Sequence, residues 1–182
     1  MTRVDPTPAE VRAALPGDDL VPDVDVVMDR AMTLPAPPDV VWPWLAQLGK
    51  GRAGWYLSRR VERCVPRSRR ATRRLHPEWT TPRVGDVVPD WGGRDATFEA
   101  VVVDADRCLV QRSTRGRMRL TWALVLTPLA GGRTRLHLRL RLAGVRRRRL
   151  ARAVGGGFDL LTVALLRPGL EERLEGPGAG GA

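Results

Sequence analysis

The chain has 182 residues and a formal net charge of +11, a length that suits one domain and is long enough to bury a core. With 43% hydrophobic residues it is too apolar for a disordered tail, and no window holds the roughly 18 uncharged apolar residues of a membrane span, the longest late run being 160–166. Cys64 and Cys108 lie far apart and outside any CxxC or Cys/His cluster, so neither a zinc site nor a disulfide framework is suggested and no metal or cofactor is expected.

Residues 1–22 carry Arg3, Asp5, Glu10, Arg12, Asp18 and Asp19 among four prolines, with no apolar leader. They read as a lead-in arm of an unprocessed cytoplasmic protein, holding at most a short helix over 9–15. The domain proper spans 23–175. Its first strand has Val24, Val26, Met28, Arg30, Met32 and Leu34 on one parity and Asp25, Asp29 and Thr33 on the other, the period of a half-buried strand. A proline-led helix follows, with Val41, Trp44, Leu45 and Leu48 on one face and Gly49 as its stop. After Gly51-Arg52-Ala53-Gly54-Trp55-Tyr56 comes an arginine-rich insertion, predicted to hold one helix near 57–64 and then loop.

From residue 84 the pattern returns to strands, predicted at 84–91, 97–104, 108–113, 120–128 and 133–142, with short turns that make an antiparallel meander. In the last, Leu136, Leu138, Leu140 and Leu142 alternate with Arg135, His137, Arg139 and Arg141, which predicts one buried face and one wet, basic face. Phe158, Leu161, Leu165 and Leu166 then mark a closing helix that Pro168 should kink or end, and 176–182 reads as a flexible tail.

This order of strand, short helix, helical insertion, antiparallel sheet and closing helix resembles the helix-grip fold of the START-like (SRPBCC) superfamily. The segments 29–38, Val41-Trp42-Pro43-Trp44-Leu45-Ala46-Gln47-Leu48-Gly49, Gly51-Arg52-Ala53-Gly54-Trp55-Tyr56, Pro77-Glu78-Trp79 and Val84-Gly85-Asp86 look like its polyketide cyclase/dehydrase-type branch. The resemblance implies an α+β fold, a curved antiparallel sheet wrapped around a long C-terminal helix, with a cavity between them for an apolar or amphipathic molecule. It implies no particular reaction. Where the branch carries an aromatic and an acidic residue after the Trp-Tyr pair, this chain has Leu57-Ser58-Arg59-Arg60, so a role needing a carboxylate there does not transfer.

The walls of such a cavity are assigned to Trp44, Trp55, Tyr56, Trp91, Phe98, Trp122, Leu124, Phe158, Leu161 and Leu165, each of which also suits plain core filling. Arg30, the one charge in an apolar stripe, either forms an internal ion pair with Asp86 or Glu99, exits to water at the strand end, or clamps a ligand carboxylate or enolate. Arg52 and Tyr56 either polarise a bound carbonyl or, with Trp55, anchor the insertion. Catalytic residues stay open, with Arg30, Arg52 and Tyr56 as candidates. His137 shares its parity with three arginines and reads as a surface residue, and His76 as solvated. Three functions follow: binding of a lipid-, polyketide- or isoprenoid-like molecule, a polyketide-type cyclase or dehydratase, or a nucleic-acid or anionic-membrane contact through the arginines of 59–74 and 146–152. A monomer and a homodimer are equally compatible with the sequence.

Overall fold

The computed structural model describes residues 4–176. Residue 176 apart, the tail expected at 176–182 therefore lies outside the described residues. Six strands form one antiparallel sheet in the order β1-β6-β5-β4-β3-β2: β1 (Val26–Leu34), β2 (Val87–Pro89), β3 (Thr97–Asp104), β4 (Cys108–Arg115), β5 (Met118–Leu129) and β6 (Arg133–Ala143). The expected strand at 84–91 shrinks to three residues, because Gly85 and Asp86 are spent on a turn: Asp86 accepts from the Arg83 backbone N–H at 2.8 Å. A register shift between Ala100 and Val102 bends β3 on the open side of the sheet, the usual effect of a bulge. Gly144 ends β6 at φ +77°, and any side chain there would stand 2.3 Å from the Arg117 carbonyl oxygen, so only glycine lets the chain leave the sheet at this corner.

The helices are short until the last: α1 (Pro8–Arg12) precedes β1, and α2 (Pro38–Ala46), α3 (Arg59–Glu62) and α4 (Pro77–Thr80) lie between β1 and β2. After β6, α5 (Arg148–Leu150), a π turn (Ala151–Gly155) and α6 (Gly156–Leu174) run on as one helix. Pro168 does not end it. The turn beyond the proline is held by burial of Leu170 and Leu174, which offsets the single backbone bond lost. Counted as one helix, 148–174 is long and apolar enough to cross a membrane by length and composition, a correction to the expectation drawn from uncharged runs alone. Here its second half closes the core.

That core lies between the concave sheet face and the helices. Met32, Leu34, Leu124, Leu136 and Leu138 meet Val41, Trp44 and Leu45 of α2 and Val163, Leu166 and Leu170 of α6 in one cluster. Each such side chain contributes about 1.5–3 kcal/mol on burial. The insertion is fastened to α6 by Arg173, whose fully buried guanidinium pairs with Glu62 at 3.0 Å and donates to the carbonyls of Leu57, Ala71, Thr72 and Gly169.

The opposite sheet face is not the wet basic surface that alternation predicts. Residues 4–22 fold across it, started by α1, where Thr7 and Glu10 cap each other's backbone N–H groups. Arg139 is buried and donates to the carbonyls of Glu10, Val11 and Ala13, to Asp18 and to Asp29. His137, expected at the surface, is buried beside it with Nε2 2.7 Å from Asp29 Oδ1. Burial alone would raise the Asp29 carboxyl, but the hydrogen bonds from His137 and Arg139 more than offset it and hold its pKa below the usual carboxylate range. Arg135 meets Glu10 at 2.7 Å, and this hydrogen bond brings the Glu10 pKa down to about 2.

Candidate ligand-binding site

The concave face has two ends. At one, α2 and the second half of α6 pack it closed. At the other, Met28, Leu140, Trp122 and Gln111 form a cross-strand row over β1, β6, β5 and β4, and Leu140 and Trp122 are only half-buried. Four aromatic rings gather there. Trp55 stacks on Trp122 with centroids 6.1 Å apart, meets Trp91 edge-on at 5.9 Å, and Phe98 lies 6.1 Å from Trp122. The Trp55 indole donates to the Thr162 carbonyl at 3.1 Å, which ties this aromatic wall to α6. Arg115 covers Phe98 at 5.7 Å and pairs with Asp90, so the loop that carries Trp91 is held by charge at the sheet edge.

Arg30 enters from β1 under the first turns of α6. Its Nη1 donates to the Asp29 carbonyl at 2.8 Å and its Nη2 to the Gly156 carbonyl at 2.9 Å, while Nε faces Asp159 Oδ2 at 3.0 Å. The ion-pair partner is therefore Asp159. Of the two residues expected for that role, Asp86 caps its own turn and Glu99 pairs with Arg112 at 3.0 Å. The Arg30–Asp159 contact is Coulombic rather than hydrogen-bonded, since neither facing atom has a well-aligned partner although both are buried. Desolvation raises the Asp159 pKa, the Arg30 charge opposes this, and the Asp29 charge adds to it.

The other candidates separate into two groups. Trp44, Tyr56 and Leu124 are fully buried in the packed end and serve as core. The Tyr56 hydroxyl donates to the Trp44 carbonyl at 2.8 Å and accepts from Gln47, its ring lies 4.4 Å from the Arg173 guanidinium, and burial pushes its pKa up. Among the described residues no hydrogen bond or ion pair joins Arg30, Arg52 and Tyr56, and Arg52 stays half-buried in its turn. Phe158 and Leu161, assigned to the cavity wall, are 69% and 57% exposed on the outward side of α6, while Leu165 is half-buried. The apolar period of this helix has two faces, and the packed one runs through Val163, Leu166 and Leu170 instead. Trp91 is 53% exposed and rims the aromatic wall, while Trp55, Phe98 and Trp122 form it.

Sequence reasoning missed Asp159. The signal was a single acid in the apolar stretch 153–166, the counterpart of the single base in the stripe of β1. No group of three or more His, Cys, Asp or Glu side chains positioned to hold a metal ion occurs among the described residues. Two surface grooves of about 490 and 520 Å³ lie elsewhere, one lined by Pro38, Asp106 and Leu126 and the other by Val11, Asp29 and Arg141.

No family model and no curated protein matches the chain in sequence. Solved structures do. Protein CV1439 of Chromobacterium violaceum superposes with a TM-score of 0.52 at 13% identity, over 82% of this chain and 97% of that one. A protein of Rhodobacter sphaeroides gives 0.51 at 17% identity over 84% and 95%. The Polyketide_cyc-like protein Cgl2372 of Corynebacterium glutamicum aligns more loosely, at 0.46 and 20% identity over 85% and 96%. With a six-stranded antiparallel sheet gripping a long C-terminal helix, an architecture these structures share along four-fifths of its length, the chain has an α+β helix-grip fold.

Proposed function

We propose that the protein binds an apolar or amphipathic small molecule, lipid-, polyketide- or isoprenoid-like, at the open end of the concave sheet face. The observation that carries this is the half-buried wall of Trp55, Trp122 and Phe98 on the same face as a half-buried ion pair whose two facing atoms are themselves buried and lack hydrogen bonds. Apolar surface of the ligand is covered by the indoles, and a ligand carboxylate or enolate replaces Asp159 on the planar fork of Arg30. Cytoplasmic location is part of the reading, in keeping with two free thiols, one of them exposed. Native mass spectrometry of the purified protein, followed by titration with long-chain fatty acids and aromatic polyketides, tests it. Saturable binding should weaken about tenfold or more in Trp122→Ala, and Arg30→Met should weaken only the acidic ligands. Absence of any adduct or saturation across both classes overturns the reading.

A second reading, a cyclase or dehydratase, is favoured by one feature: Asp159 is a carboxyl inclined to hold its proton, set against a guanidinium able to polarise a carbonyl. Tyr56 has no part in it, because its hydroxyl is committed to the Trp44 carbonyl. Turnover of a bound polyketide that is lost in Asp159→Asn while binding persists would favour this reading over simple carriage.

A further inference from the structure

The closing helix is apolar on two sides. One side, Val163, Leu166 and Leu170, is buried in the core. On the other, Leu150, Val154, Phe158 and Leu161 are spaced by four, four and three residues and are 52%, 63%, 69% and 57% exposed. Among the described residues nothing covers this stripe, and four large apolar side chains in a row on one helix face are a concentration that isolated surface residues do not produce. Arginine surrounds its start: Arg146, Arg147, Arg148, Arg149 and Arg152 are all exposed, and Arg148 and Arg152 both reach Asp25. The same end of the sheet carries the exposed Arg94, Arg117 and Arg119, on or next to the β2–β3 and β4–β5 turns, and Gly144 leaves no room for a side chain beside the Arg117 carbonyl. Trp91 stands at the flank through Trp55, which hydrogen-bonds Thr162.

We propose that this face seats the protein on an anionic lipid bilayer, with Leu150, Val154, Phe158 and Leu161 entering the headgroup–acyl boundary and Arg146, Arg147 and Arg149 meeting lipid phosphates. The charge pattern selects this occupant. A polyanion such as nucleic acid satisfies the arginines but leaves the aliphatic stripe in water. A second copy of the chain covers the stripe but brings two clusters of five arginines, each on a chain of net charge +11, toward each other. A bilayer interface takes both parts at once, and an exposed tryptophan at the edge suits the headgroup level. The helix lies on the membrane rather than across it, because its other face holds Asp159 against Arg30 and Arg173 inside the core.

The test is co-sedimentation of the full chain with vesicles of phosphatidylserine and phosphatidylcholine in equal parts, against vesicles of phosphatidylcholine alone. Binding should require the anionic lipid and fall as salt rises. The variant Arg146→Gln/Arg147→Gln/Arg149→Gln should bind about a hundredfold more weakly, at about fivefold per arginine, and Phe158→Ser/Leu161→Ser at least tenfold more weakly. All five positions are exposed, so unchanged melting curves confirm that both variants are folded. Equal binding to both vesicle types, or no binding at low salt, overturns the proposal. So does a loss caused by the arginine variant but not by Phe158→Ser/Leu161→Ser, which assigns the surface to polyanions in general. A dimer that Phe158→Ser/Leu161→Ser dissociates in sedimentation velocity, without vesicle binding, assigns the stripe to a second copy.

Discussion

The two halves of the closing helix are built from the same kinds of residue and do opposite work. From Val163 to Leu174 the helix is driven into the core, with Leu166 and Leu170 fully buried and Gly169 against the backbone of Tyr56. From Arg148 to Thr162 it runs over the open end of the sheet, contains a π turn and three consecutive glycines, and turns its large apolar side chains to solvent. It is tied down there by Arg30 and by the Trp55 indole. A π turn inside an α-helix commonly accompanies function, and a segment with few buried apolar contacts opens at lower cost than the core. Burial is concentrated in one half of this helix, and the surfaces proposed to meet a ligand and a membrane lie on the other.

Truncating one leucine in each half should expose the largest difference. Leu170→Ala removes three carbons from a fully buried position and should cost about 2–5 kcal/mol in urea unfolding. Leu161→Ala should change stability by no more than about 0.5 kcal/mol, because its side chain already faces water. Equal costs would mean that the first half is as tightly packed as the second.

Much of the fold was legible because strand and helix periods are local properties. The alternation of Leu136, Leu138, Leu140 and Leu142 gave the face of β6 that turns to the core, buried at Leu136 and Leu138 and half-buried at the other two, and the spacing of Val41, Trp44 and Leu45 gave the buried face of α2. Two things were not legible, for physical reasons. Alternation tells that a strand has two faces, not whether the polar one meets water or a folded arm, so His137 and Arg139 read as exposed although residues 4–22 bury them. A helix with two apolar faces has no unique inner side, so Phe158 and Leu161 were placed inward although the packed side runs through Val163, Leu166 and Leu170. Trp55, Trp122 and Phe98, each singled out in the sequence, do lie ring to ring on the concave face. The pairing of Arg30 with Asp159, 129 positions away, needed the fold.

Backbone proximity offers a gentler contrast. A Cβ at Gly169 would lie 2.5–2.6 Å from the Tyr56 and Leu57 backbone, where neither side can yield without moving the insertion away from α6. Gly169→Ala should therefore destabilise by about 1–3 kcal/mol, as overpacking does. Gly157 is helical and has no atom within 4 Å of an added Cβ, so Gly157→Ala should stabilise by about 0.5–1 kcal/mol through its effect on helix propensity. Opposite signs for one substitution, twelve residues apart on one helix, would sharpen the division. Destabilisation at both would place the first half under packing constraints that its exposed side chains do not reveal.

The smallest effect tests how the first half is held. Desolvation lifts the native Asp159 carboxyl above its ordinary value of 3.8, so the native state keeps this proton more tightly than the unfolded chain does. As pH rises from below 3.8 through the raised native value, this one group subtracts stability, and the subtraction is complete once the native carboxyl has ionised. Asparagine carries no proton to lose. Asp159→Asn should accordingly gain on the parent protein as pH rises toward neutrality, the two converging again in acid, and thermal unfolding over that range reads the difference. If the variant instead falls behind as pH rises, the Arg30 ion pair is a net fastener and the first half is clamped as firmly as the second. The expected direction makes the pair a costly contact at neutral pH, one that an anionic ligand competing for Arg30 can displace while Asp159 takes up a proton.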